Sequence, residues 1–266
     1  MSNGVRQGSI LSPTLFNVYI DCLTKDLSNA KVGCFINGKC FNHLVYADDT
    51  VLLAPSPTAL QKLINVCTKF AESHCLIYGL KKTKYMCVRP STLKYLNVPD
   101  VMIYGEKVKI VGEEKYLGYM IDNDCCDDAH IKKEMRSTFA RGNMLLRNFR
   151  HCSEDVKVKL YKAYCSSIYC CALICSYHKT ILTKLHVAFN KIFKSLMQVP
   201  RDHSASALFV SLGVDNFLVM RRKLVFSFVR RVNCTSNNLV QSMLKTMFFT
   251  SCNMQTEWDK VLYGGI

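Results

Sequence analysis

No apolar run in this chain approaches the length of a membrane span, which excludes a helical membrane anchor within these residues. The opening residues, with polar Ser2 and Asn3 followed by Arg6 and Gln7, lack the apolar core of a secretory signal. The expected setting is therefore nuclear or cytoplasmic, neither secreted nor membrane-bound. No Cys-x-x-Cys pair occurs among the fifteen cysteines. The vicinal pairs Cys125-Cys126 and Cys170-Cys171 read as free thiols or small buried hydrophobes of a reducing compartment. Cys171, Cys175 and His178 fall at i, i+4 and i+7, but without a standard zinc spacing they are not read as a metal site. No internal repeat or low-complexity stretch is present. Acidic side chains are scarce, 20 against 35 Lys and Arg.

What is there points to a folded, basic protein. At 266 residues and 49% hydrophobic content the chain can bury a substantial core in one or two domains. The net charge of +15 is unevenly placed: +1 over residues 1–80, +3 over 81–122 and +11 over 123–266. A cationic second half suits a partner with a polyphosphate backbone. A merely solvated basic surface is the alternative.

Two stretches carry chemistry. In Tyr46-Ala47-Asp48-Asp49 an acidic pair stands between the apolar runs His43–Tyr46 and Thr50–Ala54. Buried carboxylates need partners, and adjacent like charges repel. A tight turn between two strands would instead expose both acids at a sheet end, where Mg²⁺ could neutralise them. An ordinary turn is the plainer reading, since Asp is a common turn residue. Upstream, Gly4-Val5-Arg6-Gln7-Gly8 runs through Ser9-Ile10-Leu11 into Ser12-Pro13 and a helix. Ser12 is expected as N-cap and Pro13 as N1. A glycine-bearing loop with a cation at a helix start suits a nucleotide phosphate, and a capped helix with no ligand is the alternative.

Periodicity predicts a helix over 13–28, with Phe16, Tyr19, Ile20, Leu23 and Leu27 on one face. Strands 32–36 and 39–45 are expected around the type I′ turn signal Asn37-Gly38, and a return strand over 51–54. Ser56-Pro57 should start a helix reaching about His74, and 83–88 should be a strand. The stretch 89–100 reads as a connector, 101–103 and 107–110 as a hairpin turning at Gly105, and 116–121 as a further strand. Helices are expected near 128–150, 154–176, 179–198, 205–212 and 215–233. Ser153 and Asp215 are the predicted caps, Gly213 a stop, and the tail after Cys252 is expected to fray.

The chain resembles the reverse transcriptase (RNA-directed DNA polymerase) of LINE-type non-LTR retrotransposons. Gly4 to Asn17 is similar to motif B of that family and Tyr46 to Asp49 to its metal-binding motif C. Leu76 to Tyr85 resembles motif D, with Gly79 where Asn is usual, and Lys115-Tyr116-Leu117-Gly118 resembles the primer-grip motif E. Ala140 to Leu146 and the sequence beyond resemble the thumb and C-terminal region, with Ile174-Cys175 where Leu-Trp is common.

The resemblance implies an α+β fold. A partial polymerase palm (an antiparallel sheet backed by helices) would fill 1–88, a primer-grip-like hairpin and connector 89–122, and a basic helical thumb-like region 123–266. It implies Mg²⁺ held by Asp48 and, more weakly, Asp49, and Lys82 as proton donor to pyrophosphate or as a charge that steadies it, with a solvated basic run of Lys81, Lys82 and Lys84 as the plainer reading. Arg6, Gln7, Gly8 and Tyr46 would lie near nucleotide and template, Tyr116 and Gly118 near the primer. RNA template, DNA primer and dNTP would be the partners. Lys132, Lys133, Arg136, Arg141, Arg147 and Arg150 are candidates for gripping the duplex or a solvated face; Arg221-Arg222-Lys223 and Arg230-Arg231 form a second cluster, whose alternative is charges that only flank the apolar segment between them. Motif A, with its further catalytic Asp, has no match upstream of Gly4, so the sequence reads as part of a longer element, catalytically weak alone. A non-catalytic nucleic-acid-binding module and a decayed reading frame are the alternatives.

Overall fold

The computed structural model describes residues 8–88, 97–246 and 253–264. The chain divides once, into Met1–Gly112 and Glu113–Ile266. The stretch 89–122 is thereby shared between the two units, and part of the expected connector lies outside the described residues.

The first unit is built, among its described residues, on two helices and eight short strands in four pairs. Helix α1 spans Ser12–Asn29 and α2 spans Pro57–Ser73. Strand β1 (Cys34–Ile36) pairs with β2 (Lys39–Phe41), and β3 (His43–Tyr46) with β4 (Asp49–Leu52). Beyond α2 come β5 (Lys84–Tyr85), β6 (Met102–Ile103), β7 (Glu106–Lys107) and β8 (Lys109–Ile110). The predicted stripe of α2 is buried as expected: Leu63, Ile64, Cys67, Phe70 and Ala71. It meets Ile20, Leu23 and Leu27 of α1, with Val45 and Leu52 of the β3–β4 hairpin packed against the same cluster. A second cluster joins Ile64 to Tyr85, Val101, Ile103 and Val108.

Local chemistry sets the boundaries. Ser56 accepts a hydrogen bond from Ala59 N and Pro57 opens α2, as the sequence indicates. Helix α1 starts differently: Ser12 is its first residue and Leu11, which has no acceptor, is the N-cap. Asn37 and Gly38 both take positive φ, 49° and 75°, which is the type I′ condition. The expected antiparallel pairing is present as separate two-stranded pieces. Among the described residues no sheet exceeds two strands, and one of the five pairs, β5–β8, is parallel. The strands are too short to propagate, and positive-φ residues such as Ala47 and Tyr104 turn the chain back within a few residues. The strand predicted over 83–88 is only Lys84–Tyr85, and that over 107–110 is broken at Val108, whose N–H turns to Val101 O at 2.8 Å.

One buried polar residue ties this unit together. Asn42 Nδ2 donates to Leu27 O at 2.6 Å and Val32 O at 2.8 Å, and its Oδ1 meets His43 Nδ1 at 2.7 Å. It links the end of α1, the following loop and the hairpin. Asn42→Ala leaves these partners with less satisfaction in a dry place and is expected to cost about 2 kcal/mol, read as a lowered urea midpoint at unchanged slope.

The second unit opens on a hairpin, β9 (Glu113–Tyr116) and β10 (Tyr119–Asp122), and is otherwise helical. The strand expected over 116–121 is interrupted, because Leu117 and Gly118 take φ of 44° and 85° and form a two-residue turn. Helices α3 (Asp128–Phe149), α4 (Glu154–Tyr164), α5 (Lys179–Met197), α6 (Ala205–Ser211), α7 (Phe217–Asn233), α8 (Asn238–Leu244) and α9 (Asn253–Tyr263) follow. The helix predicted over 154–176 stops at Tyr164; Cys171–Leu173 is a short 3-10 turn entered through Cys170 at φ 50°. Asn216 rather than Asp215 caps α7, accepting from Val219 N. The core gathers Ile131, Leu145, Tyr161, Leu185, Phe189, Ile192 and Phe193. α3 and α5 approach closely at Gly142, where a β-carbon would stand 2.6 Å from Ile192 Cγ2.

The tail expected to fray after Cys252 does not. α9 docks by burying Trp258, whose Nε1 donates to Ala172 O at 2.7 Å. Arg221, read from sequence as part of a basic cluster, is itself buried: its Nη2 donates to Glu257 Oε1 at 2.8 Å, and Tyr177 OH donates to the same oxygen.

Candidate functional site

The aspartates sit where the hairpin's two faces separate. His43↔Leu52, Leu44↔Val51, Val45↔Thr50 and Tyr46↔Asp49 are cross-strand pairs. Side chains alternate along a strand, so Val45, Thr50 and Leu52 share the face turned to the helices, while Leu44, Tyr46 and Asp49 share the other. Burial agrees: Val45 and Leu52 contact the helical core, whereas Tyr46 is 65% exposed and both Asp48 and Asp49 are exposed. Ala47 and Asp48 make the turn, with Ala47 at φ 52°, a region that L-residues other than Gly, Asn and Asp rarely adopt. Packing on one face thus fixes the hairpin, and the tip offers two carboxylates from adjacent residues to solvent.

These are hard oxygen donors, the donor type that Mg²⁺ takes one or two at a time while keeping waters. Among the described residues no third Asp, Glu, His or Cys ligand atom gathers with them within 4.8 Å. The pair alone supplies fewer carboxylates than a two-ion site takes.

The other predicted residues of this unit are separately placed. Gly8 lies in the turn before α1, exposed, at φ 85°. Arg6 and Gln7 lie outside the described residues. Lys82 is exposed on the turn between α2 and β5, its N–H bonded to Gly79 O at 2.8 Å. It makes no ion pair with either aspartate.

In the second unit, Tyr116 precedes the β9–β10 turn and Gly118 lies within it, and that turn is clamped. Lys133 Nζ donates to Gly118 O at 2.6 Å and Tyr169 OH to Leu117 O at 2.6 Å. Lys133 also lies 5.6 Å from the Tyr169 ring centre and 3.1 Å from Glu134, whose other oxygen accepts from Tyr169 N. A β-carbon on Gly118 would come 3.0 Å from the Tyr169 ring. Below the turn, His130 is fully buried and stacks on Tyr119 at 3.9 Å. Its Nε2 donates to Tyr169 O at 2.9 Å, and burial holds the ring's pKa below the ordinary value. Tyr119 OH donates to Asp127 at 2.7 Å, and burial followed by that carboxylate pushes the phenol upward. Glu134, Tyr169 and His130 were not legible as a set: they come from positions up to 39 residues apart, and no spacing marks them.

The cations of α3 divide by role. Lys133 turns to the β9–β10 turn, and Arg141 Nη2 to Thr138 Oγ1 and Ser167 O. Lys132, Arg136, Arg147 and Arg150 are exposed, and at 3.6 residues per turn they fall within about 60° of one another around the helix. The scattered six of the sequence thereby resolve into a stripe of four plus two structural side chains. In α7, Lys223 pairs with Asp215 at 2.6 Å and Arg222 bonds Val261 O, which leaves Arg230 and Arg231 exposed, Arg231 beside the Phe228 ring at 5.9 Å.

Comparison with known proteins gives concordant matches. Residues 1–121 match the family model described as "Reverse transcriptase (RNA-dependent DNA polymerase)". The chain is 26% identical over 259 residues to the RNA-directed DNA polymerase from mobile element jockey of Drosophila funebris, covering 90% of this chain and 27% of that protein. The corresponding jockey protein of Drosophila melanogaster is 22% identical over 256 residues, with the same coverage of 90% and 27%. The Retrovirus-related Pol polyprotein from type-2 retrotransposable element R2DM of Drosophila melanogaster is 31% identical over 127 residues, 44% of this chain and 12% of that protein. The chain therefore spans about a quarter or less of the length of these relatives. Among the described residues no helix is long and apolar enough to cross a membrane.

Proposed function

We propose that this chain, whose residues 1–121 match the reverse transcriptase family model and which is homologous to non-LTR retrotransposon RNA-directed DNA polymerases, supplies part of a polymerase palm and, later in the sequence, a duplex-gripping region. The observation that carries this reading is the aspartate hairpin, with one face in the core and both carboxylates at the solvent-facing tip.

In this role Asp48 and Asp49 hold Mg²⁺, which supplies charge neutralisation at the triphosphate and lowers the barrier to deprotonating the primer 3′ hydroxyl. Tyr46, on the same face as Asp49, borders the primer terminus. Gly8, with Arg6 and Gln7 before it, lies toward the incoming dNTP and its template base. Lys82 is free to give a proton to departing pyrophosphate. The clamped turn of Leu117 and Gly118, with Tyr116, seats the primer strand. The outward stripe of α3 grips the sugar-phosphate backbone of template and primer.

Two ions a few ångströms apart need a further bridging carboxylate, and none joins the pair among the described residues. The 266 residues alone are expected to bind metal weakly and to leave a primed RNA template unextended. Two measurements test this. Mn²⁺ binding followed by electron paramagnetic resonance should show a weak site that Asp48→Asn with Asp49→Asn weakens by about tenfold or more, one lost charge-assisted ligand being worth roughly 1.5 kcal/mol or more, and that Lys82→Gln leaves in place. Unchanged Mn²⁺ affinity in the double variant would remove the metal role. Primer extension with dNTPs and Mg²⁺ should stay at background, and extension abolished by Asp48→Asn would show that these residues suffice for the chemistry.

A further inference from the structure

The second unit brings together a set of ligand atoms that neither the polymerase reading nor the sequence motifs use. Cys126, just before α3, Asp128, its first residue, and His178, the residue preceding α5, place a sulfur, a carboxylate oxygen and a ring nitrogen within 4.8 Å of one another. We propose that these three side chains form a site for a borderline-soft divalent cation, Zn²⁺ in particular, with water completing the coordination.

The donor set selects the ion. Thiolate and imidazole disfavour Mg²⁺ and Ca²⁺, which take oxygen, and suit zinc. Ligand atoms around a tetrahedral zinc stand roughly 3.5 Å apart, so modest side-chain rotation closes the set. The frame beneath it is fixed. Asp127 N donates to Ser176 O at 2.6 Å, and the Asp127 carboxylate accepts from Cys175 N and Ser176 N, each at 2.8 Å. His178 N donates to Asp128 Oδ1 at 2.9 Å, so the segments before α3 and α5 are pinned side by side. Cys126 N is held by Asp122 Oδ1 at 2.8 Å. The His178 side chain is 77% exposed, which leaves a path for the ion.

Charge and protons balance. Without metal the Asp128 carboxylate takes the place of the cation's partner, with His178 Nδ1 at 2.8 Å. Binding replaces the thiol proton and that contact: Zn²⁺ plus one thiol, one carboxylate and one neutral imidazole give a complex of zero net charge and one released proton. The imidazole keeps its proton on whichever ring nitrogen does not bind. The two helix N-termini disfavour a cation here, and the two anionic ligands offset that.

The test uses the full chain, reduced, freed of metal by chelation and titrated with Co²⁺ as an optical substitute. One equivalent should produce a thiolate-to-cobalt charge-transfer band and visible bands of tetrahedral intensity, bleached by Zn²⁺. Cys126→Ser should remove the charge-transfer band, and His178→Gln should weaken Zn²⁺ binding by about tenfold or more. Calorimetry in buffers of different ionisation enthalpy should report about one proton released per zinc. Both positions are partly or fully exposed, so both variants should keep the parent's circular dichroism. No thiolate band in the parent, or a band and Zn²⁺ affinity unchanged in both variants, would overturn the proposal, the latter by assigning the metal to other cysteines.

Discussion

Glu257→Ala is expected to lower the stability of the second unit by about 3–5 kcal/mol, because it strands a charge in the interior. Arg221 is 7% exposed and its partner Glu257 8% exposed. Arg221 Nη2, Tyr177 OH and, from the edge, Lys260 Nζ all meet the Glu257 carboxylate. Removing the acid leaves the guanidinium with only the neutral Tyr177 hydroxyl and Cys171 thiol beside it, and Arg221 Nε is already buried with no hydrogen-bond partner. Arg221→Met with Glu257→Leu should recover much of the loss, since two apolar groups of similar size need no partner. Thermal unfolding of the three proteins checks this, with the single variant falling by roughly 10 °C and the double lying between it and the parent. The pair also sets an acid sensitivity. Tyr177, Arg221 and Lys260 together overcome the effect of burial and hold the Glu257 carboxyl below its ordinary value. A carboxyl depressed in the folded state stabilises fully above its unfolded pKa and loses that contribution as pH falls through the depressed one. The docking of α9 should therefore be insensitive to pH near neutrality and weaken below the ordinary carboxylate range.

Changing Lys132, Arg136, Arg147 and Arg150 together to Gln should reduce affinity for an RNA–DNA hybrid by about a hundredfold at moderate salt. Each cation that faces a phosphate releases about one counterion, so the slope of log K against log salt should flatten by roughly 3 to 4. The side chains are exposed, so fold and thermal midpoint should stay near the parent's. The same substitutions in Lys133 and Arg141 would cost stability instead, since those cations hold Gly118 O and Ser167 O. Filter binding over a salt series separates the readings. Persistence of parental affinity and slope in the quadruple variant would make the stripe a solvated face. Persistence of parental binding in the Asp48→Asn, Asp49→Asn variant would place affinity in the helical unit, independent of the hairpin.

Much of the fold was legible where one local signal decides the outcome. Ser56-Pro57 opens α2, Asn37-Gly38 turns β1 into β2, and the stripe Leu63, Ile64, Cys67, Phe70 and Ala71 faces inward. The aspartate turn was legible for the same reason: apolar runs on both sides of two acids leave a hairpin tip as the one inexpensive place for them. Failures occurred where distant residues override a local preference. Leu117-Gly118 lies inside what reads as a strand, and Lys133 and Tyr169 hold the backbone oxygens that make it a turn. The apolar run before Cys175 has helical composition, but the chain leaves the helix at Tyr164, and the Asp127 carboxylate takes the N–H groups of Cys175 and Ser176. The burial of Arg221 was not legible because its acid lies 36 residues away, in a tail with no visible reason to fold back. Nor does any spacing announce Cys126, Asp128 and His178, since the two segments meet across 50 residues of intervening helix and loop.

The contact of Gly142 with Ile192 reaches beyond this one chain. With only 2.6 Å available for a β-carbon, even alanine at 142 must push α5 away from α3 or force the isoleucine to shrink. Drift at one position is thus conditional on the other, and descendants that acquire a side chain at 142 should be those already carrying alanine at 192, since valine would keep the Cγ atoms that stand in the way. The two sites should be inherited as a pair, and the order of their substitutions should be readable along the branches of the sequence's genealogy.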